Sequence, residues 1–272
     1  MKLYALIGEN VGHSLSPQIH NHIFDFLKVD ASYSAMQIKK DDFPNAIEKL
    51  KNLGYSGINV TIPYKETIIP YLDNISDEAK IIGAVNTVIF KDDKTFGYNT
   101  DYYGFKLMLD KESIYVENKN IVVLGTGGSA KTIICYLKDS GARSISVVYR
   151  NEENLNRLKE VFPFIRPIYL ENQDDISGNI CINATPVGMY PHTEESFLNE
   201  EIVKKFTVCI DIVYNPIKTK FLKTAEKNNI KVVNGLYMLI YQAVKAQELF
   251  QDTDINRSIT NEIYPYLTEL LQ

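Results

Sequence analysis

The run Ile121-Val-Val-Leu124 passes directly into Gly125-Thr-Gly-Gly-Ser-Ala130 and then into an apolar helical pattern that reaches Leu137. A β-branched strand, a glycine turn and a helix in immediate succession leave few folds open. They belong at the head of a doubly wound parallel sheet, where free backbone N–H groups and a helix dipole can receive a pyrophosphate. Downstream, extended runs at 144–149, 167–170, 180–183, 208–212 and 231–233 alternate with helical patterns, as parallel βαβ units require.

The first hundred residues also alternate. A strand at 3–7 leads to Ser16-Pro17, which reads as an N-cap and N1 pair opening a helix with Ile19, Ile23, Phe26 and Leu27 on one face. An extended stretch at 32–38 follows. A second helix is predicted from about Asp42, carrying Ala46, Ile47, Leu50 and Leu53 and stopping at Gly54 before a strand at 57–62. Strands at 87–90 and 95–98 flank the polar turn Lys91-Asp-Asp-Lys94, and the charged stretch 110–120 marks the passage to the second pattern. From Gly235 the chain opens a helix over 236–250, too long and apolar for a tail, which is expected to pack back on the first domain.

Composition narrows the function. A chain of 272 residues, 45% apolar and 23% charged, can bury two modest cores and is not disordered. With 29 basic against 34 acidic residues the net charge is −5, which offers no basic face to a nucleic acid. Cys135, Cys181 and Cys209 lie in apolar runs without C-x-x-C spacing, so buried thiols in a reducing compartment are expected, and no metal site. Leu3 to Ile7 is too short for a signal-peptide core and no run approaches a bilayer span, so the expected location is the cytoplasm, away from membranes.

Gly125-x-Gly127-x-x-Ala130 satisfies the dinucleotide fingerprint, although a plain strand-to-helix turn with positive φ at glycine would also use such residues. The following strand ends in Val147-Val-Tyr-Arg150, which puts Arg150 where an acidic residue would bond the adenine ribose of NAD. Arginine there favours NADP; the alternative is a solvated charge near Glu152 and Glu153. A phosphotransferase competes, because Gly125-x-x-x-x-Ala130-Lys131-Thr132 is one substitution from a Walker A loop and Val208-Cys-Ile-Asp211 imitates a Walker B strand. Against it stands Ala130, whose β-carbon occupies a position where the backbone must wrap phosphate.

Three polar clusters in the first domain are not explained by packing. Ser14-Leu15-Ser16 sets two hydroxyls beside a helix start, where they could cap the helix or bond a polyol or carboxylate. Asn59-Val-Thr61-Ile-Pro63-Tyr-Lys65 places Thr61 and Lys65 just past a buried strand, and Gly83-Ala-Val-Asn86-Thr87 with Gly97-Tyr-Asn-Thr-Asp101 adds an amide and a carboxylate. Such a lysine must snorkel to solvent or meet that carboxylate.

In this order and spacing, the clusters resemble the shikimate dehydrogenase family: the serine pair, N-V-T-x-P-x-K at 59–65, G-A-V-N-T at 83–87 and N-T-D-x-x-G at 99–104. The likeness continues through the turn at 125–130, Asn183-Ala-Thr-Pro-Val-Gly-Met189, Asp211-Ile-Val-Tyr-Asn-Pro216 and Gly235-Leu-Tyr-Met-Leu-Ile-Tyr-Gln242, and so spans nearly the whole chain. It implies a two-domain α/β fold in which a Rossmann-like, doubly wound NADP domain (103–234) is inserted into a discontinuous α/β substrate domain (1–102), completed by C-terminal helices (235–272), with the active site in the cleft. It also implies reversible, NADPH-dependent reduction of 3-dehydroshikimate to shikimate, on the route to aromatic amino acids. By position, Lys65 and Asp101 are the implied catalytic pair, with Ser14, Ser16, Thr61, Asn86, Tyr214 and Gln242 around the small-molecule substrate. The turn residues Gly125, Thr126, Gly127, Gly128, Ser129 and Ala130 would hold NADP with Arg150, and Asp77 and Gly235 would lie at the cofactor edge. Hinges would fall near 101–104 and 234–235.

One departure matters. The family segment after the second strand resembles N-R-T-x-x-R, whereas Tyr149-Arg150-Asn151-Glu152-Glu153-Asn154 keeps one arginine and replaces the other with Asn154, implying a looser NADP preference. Quinate in place of shikimate, relaxed use of NAD, a P-loop phosphotransferase and a non-catalytic dinucleotide sensor stay open at this point. The sensor would dispense with Lys65 and Asp101. The oligomeric state also stays open, a homodimer being one option.

Overall fold

The structure is a computed structural model that describes residues 1–12 and 14–271. In chain order its elements begin β1 (Lys2–Gly8), α1 (Ser16–Leu27), β2 (Ala31–Gln37), α2 (Phe43–Asn52), β3 (Tyr55–Val60), α3 (Tyr64–Thr67), β4 (Asn74–Ile75), α4 (Asp77–Ile82), β5 (Thr87–Lys91), β6 (Lys94–Tyr98) and α5 (Thr100–Lys111). They continue β7 (Asn120–Leu124), α6 (Gly128–Asp139), β8 (Ser144–Tyr149), α7 (Glu152–Val161), β9 (Arg166–Tyr169), β10 (Ile180–Asn183), α8 (Glu200–Val203), β11 (Val208–Asp211), α9 (Lys220–Lys227), β12 (Lys231–Val233), α10 (Leu236–Gln251) and α11 (Thr260–Leu270). The chain divides into two compact units: Met1–Gly104 with Ile240–Pro265, and Phe105–Leu239 with the stretch from Tyr266.

The first unit is built on a six-stranded mixed sheet in the order β2-β1-β3-β5-β6-β4. β1 runs parallel to β2 and β3, whereas β5 is antiparallel to both β3 and β6. The β5–β6 hairpin turns on Asp92 and Asp93, at φ 50° and 60°, the left-handed pair that matches strand twist and that aspartate tolerates. α2 buries Phe43, Ile47 and Leu50 against Ile58, Val60 and Tyr64. Tyr4, Leu6, Phe24 and Tyr33 pack instead with Ala246 and Phe250 of α10. Tyr4 stacks on Phe250 with ring centroids 4.6 Å apart, and a β-carbon at Gly57 would stand 2.6 Å from that ring, which is why the strand carries glycine there. The helix expected over 236–250 thus covers the first sheet as its apolar composition requires.

Local expectations shift in places: Phe26 and Leu53, expected on the apolar faces of the first two helices, are exposed, and His20 and Phe24 are buried in α1 and Phe43 in α2. α1 is entered from Leu15 as N-cap, not Ser16, and no side chain caps it; the Ser14 hydroxyl instead accepts the Ser16 N–H at 3.2 Å. β3 ends at Val60 although its β-branched run continues to Ile62, because the chain turns at Thr61, whose carbonyl accepts the Tyr64 N–H at 2.9 Å.

The second unit carries six parallel strands in the order β12-β11-β10-β7-β8-β9. β7 therefore lies at the centre, with later strands added first on one side and then on the other, and the order reverses between β7 and β10. Their register sets Leu124 beside Asn183, so the turns leaving both strands open at the same edge. Cys181 and Cys209 are neighbours across β10 and β11 inside the core, and burial pushes both thiols up, Cys209 to about 12. Among the described residues no helix is long and apolar enough to cross a membrane.

Candidate functional site

Lys65 sits on the single turn α3, anchored by its neighbour Tyr64, whose buried ring stacks on Phe43 at 4.1 Å and whose hydroxyl donates to the Ile38 carbonyl at 2.8 Å. The Lys65 carbonyl accepts the Val85 N–H at 2.8 Å, tying α3 to the segment before β5. Asp101 lies in the first turn of α5. Asn99 accepts the Tyr102 N–H at 3.2 Å there, and Asn86 Oδ1 accepts both the N–H and the hydroxyl of Thr100, at 2.7 and 3.1 Å. These caps fix the helix start, and Lys65 Nζ then meets Asp101 Oδ2 at 2.7 Å, the side chains 28% and 16% exposed. Of the two fates open to that lysine, it meets the carboxylate. Its remaining N–H donors stay within reach of solvent or a ligand.

Asn86 belongs to a buried chain of polar groups that the motifs contain but that spacing alone does not connect. Tyr33 donates to Asn59 at 2.7 Å, Asn59 donates to the Thr87 hydroxyl at 2.8 Å, and Thr87 reaches Thr100 at 3.1 Å. With its oxygen committed to Thr87 and Thr100, Asn86 keeps its Nδ2 group unbonded among the described residues. The hydroxyls of Ser14 and Ser16 meet at 3.1 Å, both half-buried, and Thr61 packs under Gly8, where a β-carbon would come within 2.5 Å of its methyl. Gln242 lies half-buried on α10, in the same unit. Asp77, at the start of α4, is exposed and pairs with Lys80 at 3.1 Å.

In the second unit a cleft of about 300 Å³ opens where the strand order reverses, between the 125–127 turn, Arg150 and Asn151, and 185–187. Gly125 must be glycine: its φ is +109°, and a β-carbon would stand 2.6 Å from the Thr185 methyl. At Gly127 and Gly128 a β-carbon would meet nothing within 4 Å, so the turn faces open space. No side chain caps α6 at Gly127, and the N–H groups of Gly128, Ser129 and Ala130 have no helical acceptor, which leaves donors for an anion at the dipole's positive end. Thr126 lines the same cleft, as does Asn154, whose N–H is spent on the Asn151 side chain at 2.9 Å. Arg150 lies at the rim with its guanidinium 5.0 Å above the Phe197 ring. Of the two acids that follow it, Glu153 pairs with Arg157.

Asn183 holds the cleft's far wall by accepting from the Thr185 N–H and hydroxyl at 3.1 and 2.6 Å and donating to Asp211 at 2.9 Å. Asp211 also accepts from Thr219 at 2.6 Å and the Val213 N–H at 3.0 Å; burial nevertheless pushes its carboxyl up to about 6. This removes the phosphotransferase. The imitation Walker B acid is sealed in the core, and the Thr132 hydroxyl, which would serve a metal, is buried against the Gly128 carbonyl at 3.3 Å. Gly235 has a packing reason, since a β-carbon would lie 1.9 Å from the Ile212 carbonyl oxygen. Tyr214 is partly buried, which pushes its phenol up. Among the described residues no three His, Cys, Asp or Glu side chains gather as a metal site would. Phe197 had no local signal in the sequence.

The chain is similar to known proteins over almost its entire length. Residues 6–88 match the family model of the shikimate dehydrogenase substrate binding domain. A relative from Clostridium perfringens, named shikimate dehydrogenase (NADP(+)), is 48% identical over 98% of both chains. The chorismate mutase/shikimate 5-dehydrogenase fusion protein of Clostridium acetobutylicum superposes with a TM-score of 0.95 at 40% identity, covering 100% of this chain and 98% of that one. The Thermus thermophilus shikimate 5-dehydrogenase, solved with NADP(H) and shikimate, gives 0.86 at 32% identity, covering 95% and 96%. Likeness of this extent, over nearly the whole chain, makes it a member of the shikimate dehydrogenase family.

Proposed function

We propose that this chain is an NADP-dependent oxidoreductase that interconverts 3-dehydroshikimate and shikimate in aromatic amino-acid biosynthesis. The observation that carries the reading is the Lys65–Asp101 pair at 2.7 Å, mounted on capped, buried backbone beside the free amide of Asn86. NADPH, when bound, supplies the hydride. As negative charge develops on the carbonyl oxygen, Lys65 Nζ donates a proton to it, and Asp101 orients the ammonium by accepting its hydrogen bond. Asn86 Nδ2 and the Thr61 hydroxyl bond substrate hydroxyls, the Ser14 and Ser16 hydroxyls take the carboxylate, and Tyr214 and Gln242 complete the contacts. The open turn at 125–130 holds the pyrophosphate and Arg150 the 2′-phosphate, with Asp77 and Gly235 at the cofactor's edge. The 103–234 segment acts as the nucleotide domain inserted between the two parts of the substrate domain. Three buried free thiols suit a reducing cytoplasm.

Asn154, which adds no second cation to the cleft, favours a second reading in which NAD is also used. Purified protein offered shikimate or quinate, each with NADP or NAD, tests both readings through reduced-nicotinamide absorbance. Rapid reduction of NADP by shikimate is expected. No reduction with any pair would overturn the assignment.

A further inference from the structure

We infer that Phe197 is a positioning residue for NADP recognition, a ring shelf that holds the Arg150 guanidinium ready for a 2′-phosphate. The inference rests on the cofactor reading above. The Phe197 ring packs against the buried cluster around Leu198, Ile202 and Phe221, and its carbonyl accepts from Gln173 Nε2 at 3.3 Å, so the shelf is fixed from beneath and from its backbone. The guanidinium lies 5.0 Å above the ring centroid, inside the range of a cation–π contact. Among the described residues no carboxylate pairs with Arg150, which leaves its edge N–H donors free while its face is held.

This arrangement answers a particular shortage. A dianionic phosphate at this rim meets one arginine, because Asn154 is neutral and its N–H serves the cap of α7. An arginine stem carries several rotatable bonds, and fixing them on binding weakens affinity unless the side chain is already held. Stacking on a rooted ring restrains the stem beforehand without using a donor. NAD lacks the 2′-phosphate and gains nothing from that restraint, so Phe197 bears on cofactor choice.

Titration calorimetry with NADP+ and with NAD+ tests this on four variants: Phe197→Leu, Phe197→Tyr, Arg150→Ala and the Phe197→Leu/Arg150→Ala pair. Phe197→Leu should weaken NADP+ about two- to fivefold, the size of an exposed cation–π contact, and leave NAD+ unchanged. Phe197→Tyr keeps the ring and should restore binding, and in the Arg150→Ala background the leucine should cost nothing more. Equal weakening of both cofactors would make the ring a general nucleotide platform and overturn the inference. So would an inert Phe197→Leu beside an Arg150→Ala variant that loses NADP+ selectively, in which case the cofactor reading survives alone. An Arg150→Ala variant with unchanged preference would overturn both.

Discussion

At the scale of single residues, the Lys65–Asp101 contact makes the sharpest claim. Lys65→Met keeps the stem's bulk and removes the charge, so the fold should survive while turnover falls at least about a hundredfold, the usual contribution of a general acid. Asp101→Asn should also slow turnover. Because the two act as one unit, the double variant should be scarcely slower than the worse single one; rate losses that multiply would mean independent roles. Steady-state kinetics decides. Alanine at Ser14, Ser16 or Gln242 should raise the Michaelis constant for shikimate and leave that for NADP nearly unchanged, and unaltered shikimate kinetics in all three would return them to packing. Lys65, Asp101 and the serines were legible in the sequence because each stands beside punctuation, Pro63, Asn99 or Pro17, that sets it at an element's end. Their second layer was not. Tyr33, Asn59, Thr87 and Thr100 are joined by hydrogen bonds between strands, and nothing in local spacing announces which strands adjoin. Phe197 and Arg150 meet only because a chain segment folds back across the sheet.

Among the elements, the β7-turn-α6 unit separates folding from binding within a few residues. Gly125→Ala forces a side chain onto φ +109° and into Thr185, which should cost about 1–3 kcal/mol of stability. Gly127→Ala, at φ −82° with open space around the new methyl, should leave the denaturation midpoint unchanged yet weaken NADP binding. If Gly127→Ala bound NADP normally, the turn would not approach the phosphates. The parallel strands of the second unit were readable almost to the residue, since most are buried β-branched runs bounded by polar turns; β9, a mostly exposed Arg-Pro-Ile-Tyr without that pattern, lies one residue earlier than its expected span. The single-turn α3 and short α4 were not, being too brief for a 3.6-residue period to show. α5 was hidden because Asp101, Lys106, Asp110 and Lys111 give it the look of a charged linker.

For the whole molecule, two buried groups, one in each unit, answer acid in opposite directions. His20 is buried with its ring stacked 4.0 Å from Tyr33 and Nδ1 2.7 Å from Gln247, and burial holds its pKa down to about 3. The unfolded chain protonates first, near pH 6.5, so the first unit's stability falls as pH drops from there toward 3. Asp211, raised to about 6, works the other way: its folded form holds a proton that the unfolded form has lost, so the second unit's stability falls as pH rises from about 4 through 6. Across its own window the His20 effect amounts to about 5 kcal/mol and the Asp211 effect to about 3 kcal/mol. Amide exchange, corrected for intrinsic rates, should show protection in β1 falling and in β10 rising as pH goes from 6 to 4. His20→Phe should flatten the first trend and Asp211→Asn the second; unchanged slopes in both variants would assign the response to other groups. The divided first unit has a consequence for synthesis. Phe250 closes over Tyr4 only after the intervening parallel sheet has been made, so during translation the nascent chain carries that aromatic face bare for on the order of ten seconds, and a ribosome stalled before α10 would present it to chaperones.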